Sequence, residues 1–271
     1  MIHAKPATGA FTALTRSKVP EVTVYFWIIK ILSTTVGETA ADYLNMDLGM
    51  GLPVTTAITA GLLTAVLALQ FSLDRYVPAV YWAAVLLISV TGTLVTDDLT
   101  DVAGVPLKVS TAVFSAVLVA AFAAWYRVEG TLSIHSIRTR RREAFYWLVV
   151  LVAFALGTAA GDLIAERLHL GYTVSMVIFA AVIAVVFAAH RFLHLAAVPA
   201  FWAAYIVTRP LGASAGDLLI QPRAAGGLGL DSTLVNSVFL VVVVSLTAYL
   251  SVSRVDRIDG ADSTEVPLVD R

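Results

Sequence analysis

Apolar residues run along this chain in eight blocks, each long enough for a helix and each bounded by a short polar stretch. The blocks extend from Val22 to Tyr43, Val54 to Phe71, Val77 to Asp97, Val109 to Tyr126, Ala144 to Ala165, Val174 to Ala189, Ala196 to Leu219 and Leu234 to Val252. At about 1.5 Å of rise per helical residue, roughly 20 residues cross a hydrocarbon layer about 30 Å thick. The pattern therefore predicts an all-α, polytopic membrane protein of eight transmembrane helices, several of them at the short edge of a full span.

Composition places these helices in a bilayer rather than a soluble core. Hydrophobic residues make up 59% of the 271 residues and charged residues 14%, too few polar side chains to cover so much apolar surface in water. The net charge of -1 gives no reason to expect a nucleic-acid partner. Cysteine is absent, which excludes disulfides, thiolate metal sites and cysteine nucleophiles. The histidines, His3, His135, His169, His190 and His194, fall in or near polar connections, so a buried imidazole cage is not expected.

The charges are few but sorted. Lys5, Arg16, Lys18, Arg75, Arg127, Arg138, Arg140, Arg141, Arg142, Arg191, Arg254, Arg257 and Arg271 lie in the N-terminus, alternate connections and the tail. The other connections hold Lys108, Arg167 and Arg223. Positive residues collect on the cytoplasmic side, so both termini are expected there. Met1 to Pro20 has no apolar core of its own, so no cleavable signal peptide is expected. The chain divides into an N-terminal segment (1–19), a first half (20–127), a basic linker (128–143), a second half (144–253) and a charged tail (254–271) expected to be disordered. The linker, with its RTRRRE run, reads as a solvated loop that fixes topology or as a site for anionic lipid.

Four internal repeats emerge from the aromatic pairs Phe26-Trp27, Tyr81-Trp82, Tyr146-Trp147 and Phe201-Trp202. Ten residues after each tryptophan stands a glycine (Gly37, Gly92, Gly157, Gly212), and fifteen after it an aspartate (Asp42, Asp97, Asp162, Asp217). Each unit holds two helices, so four helical hairpins enter the membrane from the same side as parallel repeats. A small residue follows each glycine by four, and Gly161 and Gly216 are two of these. Such spacing lets membrane helices approach closely, so the odd-numbered helices are expected to pack around a common axis.

With the aromatics at the cytoplasmic interface, the aspartates lie about 22 Å further along each helix, towards its outer, C-terminal end. A carboxylate there faces the negative pole of the helix and asks for water, a donor or a cation. Two readings fit: solvated carboxylates at helix ends, or a set of sites that collects cations. Asp101 follows Asp97 by four and Glu166 follows Asp162 by four, which sets each pair on one helix face if the helix continues. The candidate metal ligands are then Glu38, Asp42, Asp97, Asp101, Asp162, Glu166 and Asp217, an oxygen-only set that favours Mg²⁺, Ca²⁺ or Mn²⁺. Hydroxyls open the even helices (Thr55, Thr56, Ser110, Thr111, Thr173, Ser175, Ser232, Thr233), as caps or as the lining of a polar path.

The repeats differ where charge is concerned. Only the first has Glu38, one turn from Asp42, with Lys30 two turns further in; only the last has Arg209, followed by Pro210. Ionisable groups at such depth pair or face water. Glu38 and Arg209 are one turn apart in depth, so they are expected to pair, as a fixed register lock or as a gate; Lys30 either snorkels or pairs elsewhere.

The stretch KVPEVTVYFWIIKILSTTVGETAADYL, with the later GTAAGDL and GASAGDL, resembles uncharacterised bacterial membrane-anchored proteins built from tandem repeats of unknown function. The resemblance covers nearly all of Lys18 to Val252, although the second repeat has TDD where others have GD. It implies a polytopic inner-membrane protein and supplies no reaction.

Two function classes remain. The first is a secondary transporter or exporter of a small cation, Mn²⁺, Mg²⁺ or Ca²⁺, with proton coupling through Glu38. The second is a non-transporting scaffold or lipid-interacting protein whose acids are structural. No phosphate loop and no His-Glu-x-x-His motif occurs, so neither an ATP-driven pump nor an enzyme is expected, and no cofactor is called for.

Overall fold

The computed structural model describes residues 17–258, apart from the side chain of Glu166; His3, Lys5, Arg16, Arg271 and the rest of both termini lie outside the described residues. Eight long helices occur within that range: α1 (Val24–Asp42), α2 (Leu52–Ser72), α3 (Pro78–Asp97), α4 (Leu107–Glu129), α5 (Arg140–Asp162), α6 (Gly171–Phe192), α7 (Ala197–Ile220) and α8 (Ser232–Ser253). Local signals start them. Thr23 Oγ1 accepts from Phe26 N at 3.3 Å, Thr139 Oγ1 from Arg142 N at 3.3 Å and Asp231 Oδ1 from Leu234 N at 2.7 Å, while prolines occupy the first turns of α2 and α3. The hydroxyls expected as caps serve otherwise: Thr55 and Thr56 sit inside α2 and donate back to the carbonyls of Gly51 and Leu52.

Among the described residues, α2, α3, α4, α5, α6 and α8 are six helices long and apolar enough to cross a membrane. The other two, α1 and α7, carry Lys30, Glu38 and Arg209.

The odd helices form a closed ring, in which α1 packs on α3, α3 on α5, α5 on α7 and α7 on α1. The even helices stand outside it, each against the odd helix of the following repeat: α2 on α3, α4 on α5, α6 on α7, and α8 back on α1. Consecutive repeats are thereby interlocked, and the last clasps the first. Glycine sets the ring's diameter. A Cβ on Gly37 would lie 1.9 Å from Ser89 Oγ, one on Gly92 3.3 Å from Phe154 Cβ, one on Gly157 2.4 Å from Arg209 Cγ, and one on Gly212 2.0 Å from Thr34 Oγ1. Each glycine, ten residues after its tryptophan, meets the residue seven after the tryptophan of the next repeat. Gly161 and Gly216 continue the contact one turn on, against Pro210 and Glu38.

The aromatic pairs depart from the expected interfacial belt. Phe26, Tyr81, Trp82, Tyr146, Trp147 and Trp202 are buried, and their rings meet across repeats: Phe26 with Trp82 and Phe201, Tyr81 with Trp147, Tyr146 with Trp202. Four pairs at one level of a tight ring find each other before they find lipid, and they plug that end of the bundle.

Residues flanking the helices make buried contacts at this aromatic end. Lys18 Nζ pairs with Glu143 Oε2 at 2.5 Å, both buried, and Gln70 Nε2 donates to Glu143 Oε1 at 2.9 Å. The stretch expected as a solvated linker therefore begins inside α4 and ends inside α5, with Glu143 tied down by the N-terminal segment. Asp256, expected in a disordered tail, is buried, accepts from Tyr76 Oη at 2.6 Å and offers its carbonyl to Glu21 N at 2.8 Å.

At the opposite end, α1, α3 and α5 each widen into a π turn directly after the repeat aspartate (Tyr43–Asp47, Asp98–Val102, Leu163–Arg167). The fourth repeat lacks this turn and passes to a short 3-10 segment, Arg223–Ala225. The wider π geometry alters the face on which a residue four positions on would fall. Asp101 is exposed in its π turn, beyond the end of α3.

A buried polar column and its candidate cation site

Counting from the four tryptophans resolves the ring interior into layers. Three residues on stand Lys30, Val85, Val150 and Tyr205; seven on, Thr34, Ser89, Phe154 and Arg209; eleven on, Glu38, Thr93, Thr158 and Ala213; fifteen on, the four aspartates. Every member of the first two layers except Val150 and Val85 is polar, aromatic or charged, and all members of the first three are buried. A polar column thus runs from the aromatic plug to the acidic end.

Arg209 occupies the middle of it with no exposed surface. Its Nη2 donates to Glu38 Oε2 at 2.8 Å and to Thr158 Oγ1 at 2.8 Å and touches Thr93 Oγ1; Nη1 donates to Thr34 O at 3.1 Å. One guanidinium from the fourth repeat thus gathers the eleventh-position side chains of the other three. Thr93 Oγ1 also lies 3.3 Å from Glu38 Oε2. The long stem reaches the axis because it crosses Gly157, where α5 has no side chain to obstruct it.

Glu38, Asp162 and Asp217 come from α1, α5 and α7, and one carboxylate oxygen of each lies within 4.8 Å of the other two. Glu38 and Asp217 are buried and Asp162 is half-buried. An oxygen-only donor set of this kind suits a hard cation, which binds carboxylate oxygens at about 2.0–2.6 Å. Asp42 stands beside this group and accepts from Gln221 Nε2 at 2.9 Å. Asp97 lies within electrostatic reach of Glu38, Asp42 and Asp101. The four repeat aspartates are therefore not equivalent: Asp162 and Asp217 join Glu38, while Asp42 accepts from Gln221. Asp101 is exposed beside Asp97 and is not one of the three grouped carboxylates, and the side chain of Glu166 lies outside the described residues.

Lys30 does not snorkel. Its Nζ is buried one layer towards the plug, donates to Tyr205 O at 3.0 Å and to Thr208 Oγ1, and lies 3.9 Å from the Tyr205 ring centroid and 4.9 Å from that of Phe154. Arg209 Cζ is 6.0 Å from the Phe154 centroid on the same column. Lys30 thus stands on aromatic and neutral oxygen partners, one layer below the Arg209–Glu38 pair.

Thr34, Thr93 and Thr158 escaped the residue-by-residue reading because lone threonines in membrane helices ordinarily bond their own backbone. The signal that finds two of them is the offset of eleven from the tryptophan, which aligns Thr93 and Thr158 with Glu38.

Fold and site together define an all-α, membrane-associated tandem-repeat protein with a small buried acidic and polar cluster able to bind a cation. The chain belongs to the family described as Repeat of Unknown Function (DUF347), which matches residues 25–76, 80–131, 145–194 and 200–256. Each matched block begins at or within two residues before its aromatic pair, so the family unit and the layer count coincide. No curated protein and no solved structure matches the chain significantly.

Proposed function

We propose that this protein is a secondary transporter of a small divalent cation, with Glu38, Asp162 and Asp217 as the ion's ligands and Asp42 and Asp97 as the acidic approach to them. On this reading all eight helices cross the bilayer, and the four hairpins enter from one side. Both termini and the basic connections are cytoplasmic, in what the resemblance implies is a bacterial inner membrane. The acidic end then faces outward and draws cations in by charge.

The observation that carries the reading is the meeting of three carboxylate oxygens within 4.8 Å from three different repeats. Buried carboxylates are costly in a membrane interior unless a cation or proton offsets them, and a site assembled from separate repeats can be opened by moving one repeat against another. Two features support a coupled carrier over an open pore: the aromatic plug closes one end, and Arg209 places positive charge beneath the acids. Proton coupling falls to Glu38, the carboxylate shared with Arg209.

A scaffold reading draws on that same ion pair, since Glu38 held by Arg209 also suits a static lock across the ring. Flux separates the two. Purified protein in liposomes should take up Mn²⁺ above empty liposomes, with Mg²⁺ and Ca²⁺ compared as competitors, and Glu38→Gln or Asp217→Asn should abolish the uptake. Equal flux in wild type, both variants and empty liposomes would remove transport by this site.

A further inference from the structure

The centre of the column already holds a cation, one attached to the chain. A guanidinium keeps its proton at any pH the protein meets, so the charge of Arg209 is removed from Glu38 only by movement. Glu38 is meanwhile one of the three carboxylates able to hold an ion. An ion at about 2.0–2.6 Å from that carboxylate would face Arg209 Nη2, 2.8 Å from Glu38 Oε2, as a like charge in a low-dielectric interior. The two cations do not share Glu38 at full strength.

We infer that Arg209 is a tethered counter-cation: an arriving divalent ion displaces its guanidinium from Glu38, and the guanidinium returns when the ion leaves. This deepens the transport reading above and rests on it. The exchange keeps the Glu38 carboxylate compensated in both states, by the guanidinium in the empty protein and by the ion in the loaded one.

Three local features equip the side chain for this exchange. Thr34 O and Thr158 Oγ1 are neutral oxygens that continue to hold the guanidinium after Glu38 is given up. Arg209 Nε and Ser89 Oγ, both in the layer seven residues after the tryptophans, are buried without a hydrogen-bond partner among the described residues, a donor and a hydroxyl in reserve for a shifted arrangement. Pro210 has no N–H for the carbonyl of Ile206, which loosens the helix at the residue next to Arg209, and Gly157 leaves the stem its track.

The test is Mn²⁺ affinity, read by electron paramagnetic resonance on the full chain in detergent. Removing the competitor in Arg209→Gln should tighten Mn²⁺ binding at least tenfold, whereas Glu38→Gln should weaken it at least tenfold. Thr158→Val supplies a second arm, because Thr158 Oγ1 touches the guanidinium and its own Phe154 carbonyl but no carboxylate. Nη2 is shared among Glu38, Thr93 and Thr158 in the empty protein and between the two threonines once Glu38 is given up, so losing this oxygen costs the loaded state more, and Mn²⁺ should bind about threefold more weakly. Unchanged or weaker binding in a folded Arg209→Gln protein overturns the counter-cation. If that variant does not fold, unchanged binding in Thr158→Val does the same. Absence of Mn²⁺ binding in wild type and Arg209→Gln alike would overturn both this inference and the transport reading, whereas wild-type binding with either negative variant result removes the inference alone.

Discussion

Glu38 Oε2 and Arg209 Nη2 meet at 2.8 Å, 171 residues apart in the chain, where the first repeat closes against the last. The contact completes the ring electrically as the α1–α7 packing completes it sterically. Removing either partner leaves the other charge buried and alone. Glu38→Leu or Arg209→Met is therefore expected to destabilise the protein by about 3–5 kcal/mol, and the double variant by much less than the sum. Denaturant unfolding in detergent of the four proteins of that cycle is the check; additive losses would show that the two side chains do not act as a pair.

Gly157 is where the ring makes room for the stem of Arg209. An added Cβ would lie 2.4 Å from Arg209 Cγ and 2.9 Å from Pro210 Cδ, so Gly157→Ala should cost about 1–3 kcal/mol and push the guanidinium off its partners. Gly61, in the outer helix α2, has nothing within 4 Å of an added Cβ, and Gly61→Ala should be tolerated. Thermal melts of the two variants side by side decide the point; equal melting temperatures would mean that α5 and α7 do not approach as closely as described.

Asp256 lies beyond the last helix, where burial raises its carboxyl above the ordinary value and the Tyr76 hydrogen bond only partly pulls it back. A raised carboxyl binds its proton more tightly when folded than when unfolded, so its contribution is full below the unfolded value of about 3.9 and is lost as pH rises through the folded value. Asp256→Asn resembles the protonated form. The melting temperature of wild type relative to this variant should therefore be highest at the acid end and decline with rising pH through the carboxylate's folded range. A difference that grows with pH would contradict the assignment.

How much of this was legible beforehand follows from what repeats and what does not. The helices and the glycine contacts could be read because four copies of one spacing average out local noise, and membrane helices declare their length. The depth of Glu38 and Arg209 was legible too, since one turn is within reach of an arginine. The makeup of the carboxylate group was not: equal offsets put four aspartates at one level, while the structure draws Asp162 and Asp217 to Glu38 and leaves Asp42 with Gln221, just past α7 in the repeat that lacks a π turn. Backbone widening of that kind leaves no mark in hydropathy. The Lys18–Glu143 and Tyr76–Asp256 contacts were hidden for a related reason, because a lone charge in a polar connection has no period to reveal its partner. Thr158 sat in plain view, aligned with Glu38 by repeat, but a single hydroxyl gains meaning only once the guanidinium above Gly157 is seen.

The most direct measurement is the calorimetric titration of Mn²⁺ into the detergent-solubilised full chain and into a variant carrying Glu38→Gln, Asp162→Asn and Asp217→Asn together. The account predicts one saturable site per wild-type chain and none in the variant. A wild-type isotherm preserved in the variant would place cation binding elsewhere and contradict it.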